Sequence, residues 1–337
     1  MANLSKYGDI TSIQQEYANR KFLSVFQPAT VTQRFGMADT LPTHNTRTMT
    51  WKKYASLTVT TAPVAEGITP ESVKLTVTTV SCILQQYIYV MELTDIVKDT
   101  HEDPVLMMMT KRIGQAMAQT IEKVTIASFH ASTNVYFANG SATTDVNSVP
   151  TRGLFRQVAR GFFRNLAEPF TEIIAATAKV STTGIESAYF AMCHTDLDSD
   201  LRNMTGWVGI TEYSSVEKRV AGEIGACEKM RFITSTNFTS TELGGDDTTT
   251  MLSEGAAPVG TVKADIYPIF VVAKESYGIV RLQGKGAVET FVLNPGTARG
   301  GDPAAQRGSV ANKVMYGSTI LNQLWMAKVW ACATASL

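Results

Sequence analysis

Long apolar runs are what this sequence most clearly lacks: no stretch of its 337 residues approaches the roughly 20 apolar positions that span a bilayer. The opening MANLSKYGDITSIQQEYANR has no apolar block of the signal-peptide kind, so export and membrane insertion are not expected. Cysteine is scarce as well. Cys82, Cys193, Cys227 and Cys332 stand singly, with no CxxC pair, in a chain far larger than a disulfide-stapled module. Reduced thiols are the expectation. Nor is there an excess charge of either sign, since Lys plus Arg (30) balance Asp plus Glu (30). A chain with that balance has no long-range field to recruit nucleic acid, an anionic membrane or an acidic substrate.

Catalytic spacing is missing too. His44, His101, His130 and His194 are far apart and form neither HxxxH nor HExxH. The cluster His194, Asp196, Asp198 and Asp200 is acidic enough for calcium, but an EF-hand loop starting at Asp196 would require Gly and Glu where Leu201 and Trp207 stand. Its plainer reading is a set of polar caps at the start of a helix running through Leu201 and Met204. Gly284-Lys285-Gly286 is followed by no Ser or Thr, and Gly278 is one residue too far away for a phosphate loop, which leaves a turn between strands. No GxSxG elbow and no helix-opening GxGxxG occur. Asn237-Phe238-Thr239 is a formal glycosylation sequon, but it has no secretory signal upstream. No metal, cofactor or catalytic residue is expected, and a soluble α/β hydrolase using His194 and Asp196 is a distant alternative.

What the chain does have is enough apolar content, 44%, for a sizeable core and about two domains. Residues 1 to 45 are polar with short apolar groups, among them Phe22, Val25 and Phe26, and read as an arm that must lie against something else to become ordered. From Thr48 to Thr61, Met49, Trp51, Ala55, Leu57 and Val59 share one parity, and Val73, Leu75 and Val77 alternate after the turn-rich APVAEGITPES. The pattern predicts a long hairpin. After Thr79 the parity slips to Val80, Cys82 and Leu84, as at a bulge or a change of partner. Asp103-Pro104 then opens a long amphipathic helix bearing Val105, Met109, Ile113, Met117, Ile121 and Val124, with Gly114 accounted for by close packing. Residues 132 to 153 read as a loop, Leu166 to Val180 as a helix with Phe170, Ile173, Ile174 and Thr177 on one face, and Ser187 to Cys193 as a strand. Further strands are expected at Arg231 to Thr234, Tyr267 to Ala273 and Val288 to Leu293, before a long apolar segment from Val310 to Ala333.

The order polar arm, hairpin, long helix, mixed remainder resembles the tailed-phage capsid fold of the Hong Kong 97 type. Particular residues sharpen the likeness. Trp51, Tyr54 and Leu57, then Glu66-Gly67-Ile68-Thr69-Pro70, Gln86-Tyr87 and Leu93-Thr94-Asp95 are similar to the hairpin signature of the major capsid family typified by coliphage N-four. Gly222-Glu223-Ile224-Gly225 with Met230-Arg231-Phe232 resembles its central pair. Asp302-Pro303, Gln306-Arg307-Gly308-Ser309-Val310, Lys313, Tyr316-Gly317 and Ile320-Leu321-Asn322 resemble its closing block. Asn312 and Glu228-Lys229 depart from the family pattern, which bears on local turns.

The resemblance implies an α+β fold with an N-terminal arm (1–45), an extended β-hairpin or E-loop (46–92), a peripheral domain (93–181) with a spine helix at about 104–130, an axial domain (182–308), and a C-terminal segment (309–337) returning to the peripheral domain. It implies a major capsid protein whose copies form the hexamers and pentamers of an icosahedral head, assembled in the host bacterial cytoplasm. The partners would be other copies of itself, a portal protein, scaffolding and decoration proteins, and packaged double-stranded DNA held without sequence specificity. An isolated hairpin is marginal in water. Trp51, Tyr54, Leu57 and Val59, with Glu66 in the loop and Phe22 and Phe26 in the arm, are therefore the candidate inter-subunit contacts, the other reading being a sheet within one subunit. An encapsulin-like nanocompartment shell is the related alternative.

Overall fold

The computed structural model describes residues 30–55, 57–59, 61, 63–69, 72–100, 105–170, 186–213, 220, 222–254, 262–284, 288–296 and 302–335. In chain order the first elements are β1 (Met37–Leu41), β2 (Thr48–Tyr54), β3 (Val77–Ile83), β4 (Gln85–Thr94), α1 (Asp95–Thr100) and α2 (Val105–His130). Then come β5 (Val135–Phe137), α3 (Arg152–Arg164), β6 (Tyr189–Cys193), α4 (Asp198–Arg202), β7 (Val208–Gly209), β8 (Glu223–Cys227) and β9 (Met230–Thr234). The last are β10 (Ile266–Val272), β11 (Tyr277–Leu282), β12 (Glu289–Leu293), β13 (Arg307–Ile320) and β14 (Met326–Cys332). The mixture is α+β, as expected, with strands dominating.

Seven strands form one sheet in the order β5-β14-β10-β6-β9-β8-β7. Its central strands are covered on both faces, so β6 and β10 are apolar along their whole length. The C-terminal end of α2 packs Ile126 and Phe129 against one face, on Phe190, Met192, Phe270 and Val272. On the other face α3 sets Phe155, Val158 and Phe162 against Tyr189, Ala191, Phe232 and Ile269. Alternate residues of β6 thus serve opposite cores, as the strand's twofold periodicity requires. Thr151 starts α3 by accepting a hydrogen bond from the Leu154 amide.

The second sheet is built on β13, which is long enough to take two neighbours on one edge. Residues 316–320 pair with β11, residues 309–313 with β12, and β4 runs along the opposite edge, while β1 extends the sheet beyond β11. On one face Tyr277, Ile279, Tyr316 and Ile320 meet the α2 side of the core. On the other, Val280, Leu282 and Met315 face the β2-β3 ribbon.

Several expectations need correction. Residues 166–170 are not helical, Leu166 having φ +52°, and Ile173, Ile174 and Thr177 lie outside the described residues. The helix of this region is α3, starting within the stretch expected to be a loop. The parity slip after Thr79 is no bulge, since β2 and β3 pair without interruption from Thr48↔Ile83 to Tyr54↔Val77. The other expectation, a change of partner, is met at Leu84, where the chain passes from pairing with β2 to pairing with β13. Gly114 has room to spare: a Cβ there would meet only Asn312 Nδ2, at 3.9 Å, so close packing does not account for it. The C-terminal segment divides between the sheets, β13 pairing with β4 and β14 with β10. The four cysteines are unpaired and buried, and burial raises their thiol pKa values, that of Cys332 to about 12.

Candidate assembly surface: the hairpin and its root

The β2-β3 ribbon has two unlike faces. Directly opposed residues of an antiparallel pair share a face, so Met49, Trp51, Val80 and Cys82 lie on one side, while Tyr54 and Val77 lie on the other. The first face rests on the body of the subunit, where Cys82 and Leu84 are buried with Leu41 and Val280, and Met49 and Trp51 pack against them. Trp51 Nε1 donates to Asp39 Oδ2 at 2.5 Å. Trp51 is thus half-buried against its own chain.

Beyond Tyr54 the situation reverses. The Ala55 amide still donates to the Thr76 carbonyl, after which the described residues up to 76 form no further strand. Tyr54, Leu57 and Val59 are 59%, 57% and 82% exposed, and Val64, Ile68, Val73, Leu75 and Val77 are exposed as well. Glu66 is exposed beside Gly67, whose φ of +82° belongs to the turn at the ribbon's end. Among the described residues this projection carries many solvated apolar side chains and belongs to no core cluster, the kind of patch that in soluble proteins marks an interaction surface. Of the residues singled out from sequence, the structure therefore groups Tyr54, Leu57, Val59 and Glu66 on the projection and seats Trp51 at its root. Phe22 and Phe26 lie outside the described residues. Val64, Ile68, Val73 and Leu75 join the exposed side chains of the projection, although the sequence places 73, 75 and 77 only in a strand of the hairpin and not among the contacts.

A second exposed apolar area follows the ribbon. Ile88 and Val90 of β4 and Phe291 of β12 lie on the sheet face away from α2, joined through the pairings Val90↔Ala311↔Phe291. The arm's described end is fastened elsewhere. Buried Glu122 of α2 accepts hydrogen bonds from the amides of Val31 (2.8 Å) and Thr32 (2.9 Å) and from the Thr32 hydroxyl (2.6 Å). The Tyr277 hydroxyl donates to the Thr32 carbonyl.

The candidate chemistry elsewhere resolves into structure. His194 Nδ1 accepts from the Asp196 amide and so caps the turn before α4, while Asp196 Oδ2 accepts from Tyr267 at 2.8 Å; the helix expected through Met204 ends at Arg202, and its own first residue has no side-chain cap. No hydroxyl or thiol hydrogen-bonds His194 among the described residues. Asp198 and Asp200 are taken by Arg202 and Thr334. Among the described residues no group of His, Cys, Asp and Glu could hold a metal ion, and no helix is long and apolar enough to cross a membrane. Gly284, with φ +72°, sits in the turn after β11. Arg231 and Glu223 form a buried pair at 2.5 Å, with the Tyr213 hydroxyl donating to Glu223 at 2.7 Å, which fixes β9 to β8.

A family model for phage capsid proteins matches residues 77–322. Solved structures share the fold over nearly the whole chain. The capsid of Ralstonia phage GP4 is 8% identical, with 100% of each chain covered and a TM-score of 0.70. The capsid of cyanophage Pam1 is 12% identical over 100% of each chain, at 0.62. The acid-stable capsid of Helicobacter pylori bacteriophage KHP30 is 8% identical over 98% of this chain and 99% of that one, also at 0.62. At such identities the likeness is one of fold. No curated protein matches the sequence.

Proposed function

Since the chain belongs to the phage capsid protein family and is a shell protein of the phage head, we propose that its copies form the hexamers and pentamers of an icosahedral head, each hairpin gripping a neighbouring subunit. The observation that carries this reading is the ribbon beyond Tyr54, whose apolar side chains stay exposed among the described residues. Burying a Val or Leu side chain is worth about 1.5–3 kcal/mol, so a neighbour that covers this projection supplies what the isolated ribbon lacks. Tyr54, Leu57, Val59 and Glu66 are the contacts proposed on the projection, Phe22 and Phe26 those in the arm.

In this reading α2 is the spine of a peripheral domain, and strands β6 to β10, which fall within 182–308, lie in the axial domain that surrounds the capsomer centre, with β5 and β14 joining their sheet from outside those bounds. The shell encloses double-stranded DNA without reading its sequence, consistent with balanced charge, and a portal and any scaffolding or decoration protein dock on it during assembly in the host cytoplasm. A family match to phage capsids favours this over a cargo-bearing nanocompartment. Electron microscopy of the protein expressed alone is the test. Closed shells or free hexamers are expected; monodisperse monomers whose 55–76 amides resist hydrogen exchange would sink the proposal.

A further inference from the structure

We propose that the hairpin is bolted to its own subunit at the root, so that the direction in which it leaves the subunit is set before the Ala55–Thr76 hydrogen bond, and that the buried glycines Gly278 and Gly317 are positioning residues for assembly. The inference rests on the reading that the hairpin grips a neighbour, and adds where its direction is set.

Gly278 of β11 and Gly317 of β13 face the ribbon from adjacent strands, through the pairings Gly278↔Thr319 and Val280↔Gly317. A Cβ at 278 would lie 2.9 Å from both Cη2 and Cζ2 of Trp51, and one at 317 would lie 2.9 Å from Cys82 Sγ and 3.1 Å from the Ile83 carbonyl oxygen. Real Cβ atoms do not come this close to a ring or a backbone without displacing it. Trp51 and Cys82 share the inner face of the ribbon, one from each strand, so each of the two strands is seated in a hollow that only glycine leaves open.

The seat is held laterally as well. Trp51 Nε1 is tied to Asp39 of β1, which stands opposite Val280 in the same sheet. At the base Arg47 Nε donates to the Leu84 carbonyl at 2.6 Å, and the Leu84 amide donates back to the Arg47 carbonyl at 3.0 Å. A rigid ribbon anchored at several points transmits any tilt of its root to its tip. Moving Trp51 by a few tenths of an ångström therefore swings residues 57–69 by more, away from the neighbour they must meet.

The test compares three changes in purified full-length protein, reading shell yield by sedimentation and microscopy, folding by far-ultraviolet circular dichroism, and the root by tryptophan emission. Gly278→Ala is expected to shift tryptophan emission and lower shell yield at least tenfold. Adding Trp51→Phe, which removes the outer ring carbons that the new methyl would meet, is expected to restore at least half of the native yield. Leu57→Asp at the tip is expected to abolish shells with emission unchanged. Native shell yield from Gly278→Ala, or no rescue by Trp51→Phe, overturns the inference, and the rescue reads the contact even if the single variant misfolds. Normal shells from Leu57→Asp would instead overturn the reading that the hairpin grips a neighbour.

Discussion

The hairpin beyond Tyr54 and the seven-stranded sheet are written in nearly the same residue alphabet and meet opposite fates. Val73-Lys74-Leu75-Thr76-Val77 and Ile266-Tyr267-Pro268-Ile269-Phe270 are both β-forming stretches, yet the first is exposed throughout and the second is buried at every position. The difference lies in what the rest of the chain provides. Helices α2 and α3 cover both faces of the sheet, whereas no element of the described chain reaches the tip of the ribbon. Apolar patterning specifies that a face will be buried, and the fold decides whether the same chain or another copy does the burying.

If that contrast is right, damage to the sheet should unfold the subunit. Phe232 of β9 is fully buried between Phe155 and Trp207, with ring centroids 5.0 and 5.3 Å away. Phe232→Ala should cost about 3–5 kcal/mol, seen as a lower urea midpoint at unchanged slope. A loss below 1 kcal/mol would mean that this sheet is not the stabilising core. A smaller cost is expected where the arm joins α2. Glu122→Ala leaves the Val31 and Thr32 amides without their acceptor in a buried site, at about 1–3 kcal/mol. Hydrogen exchange at those two amides should quicken more than in β10, and equal quickening in both would show that the arm junction is no local fastening.

Much of this was legible in the sequence, and the exceptions have physical causes. Strands β6, β9, β10 and β12 were placed within one or two residues, because their runs are apolar and bounded by turn formers. α2 was placed from its Met109, Ile113, Met117 repeat. The sequence hides α3, because four arginines and two glycines in RGLFRQVARGFFR interrupt the apolar count, although Leu154, Phe155, Val158 and Phe162 form a clean stripe on the helix. The alternation of 48–61 is right in kind but longer than the strand described, which runs Thr48–Tyr54 with one further bond from the Ala55 amide to the Thr76 carbonyl. Trp51 shows the limit of parity. Its parity is that of Leu57 and Val59, and nothing local reveals that Gly278, more than two hundred residues later, opens the hollow that takes its ring.

The most discriminating change is the one expected to do least to the subunit itself. Leu57→Ser together with Val59→Ser removes two side chains that are 57% and 82% exposed, and exposed substitutions away from caps or ion pairs move stability by only about 0.5 kcal/mol. In the shell the same atoms are proposed to be covered by a neighbour. Losing even about 3 kcal/mol of that burial per contact raises the concentration needed for assembly more than a hundredfold. Thermal unfolding of the free subunit should therefore be unchanged while shells disappear at concentrations where the native protein assembles. A parallel fall in both would place these residues in the subunit's own core, and the contrast between ribbon and sheet would collapse.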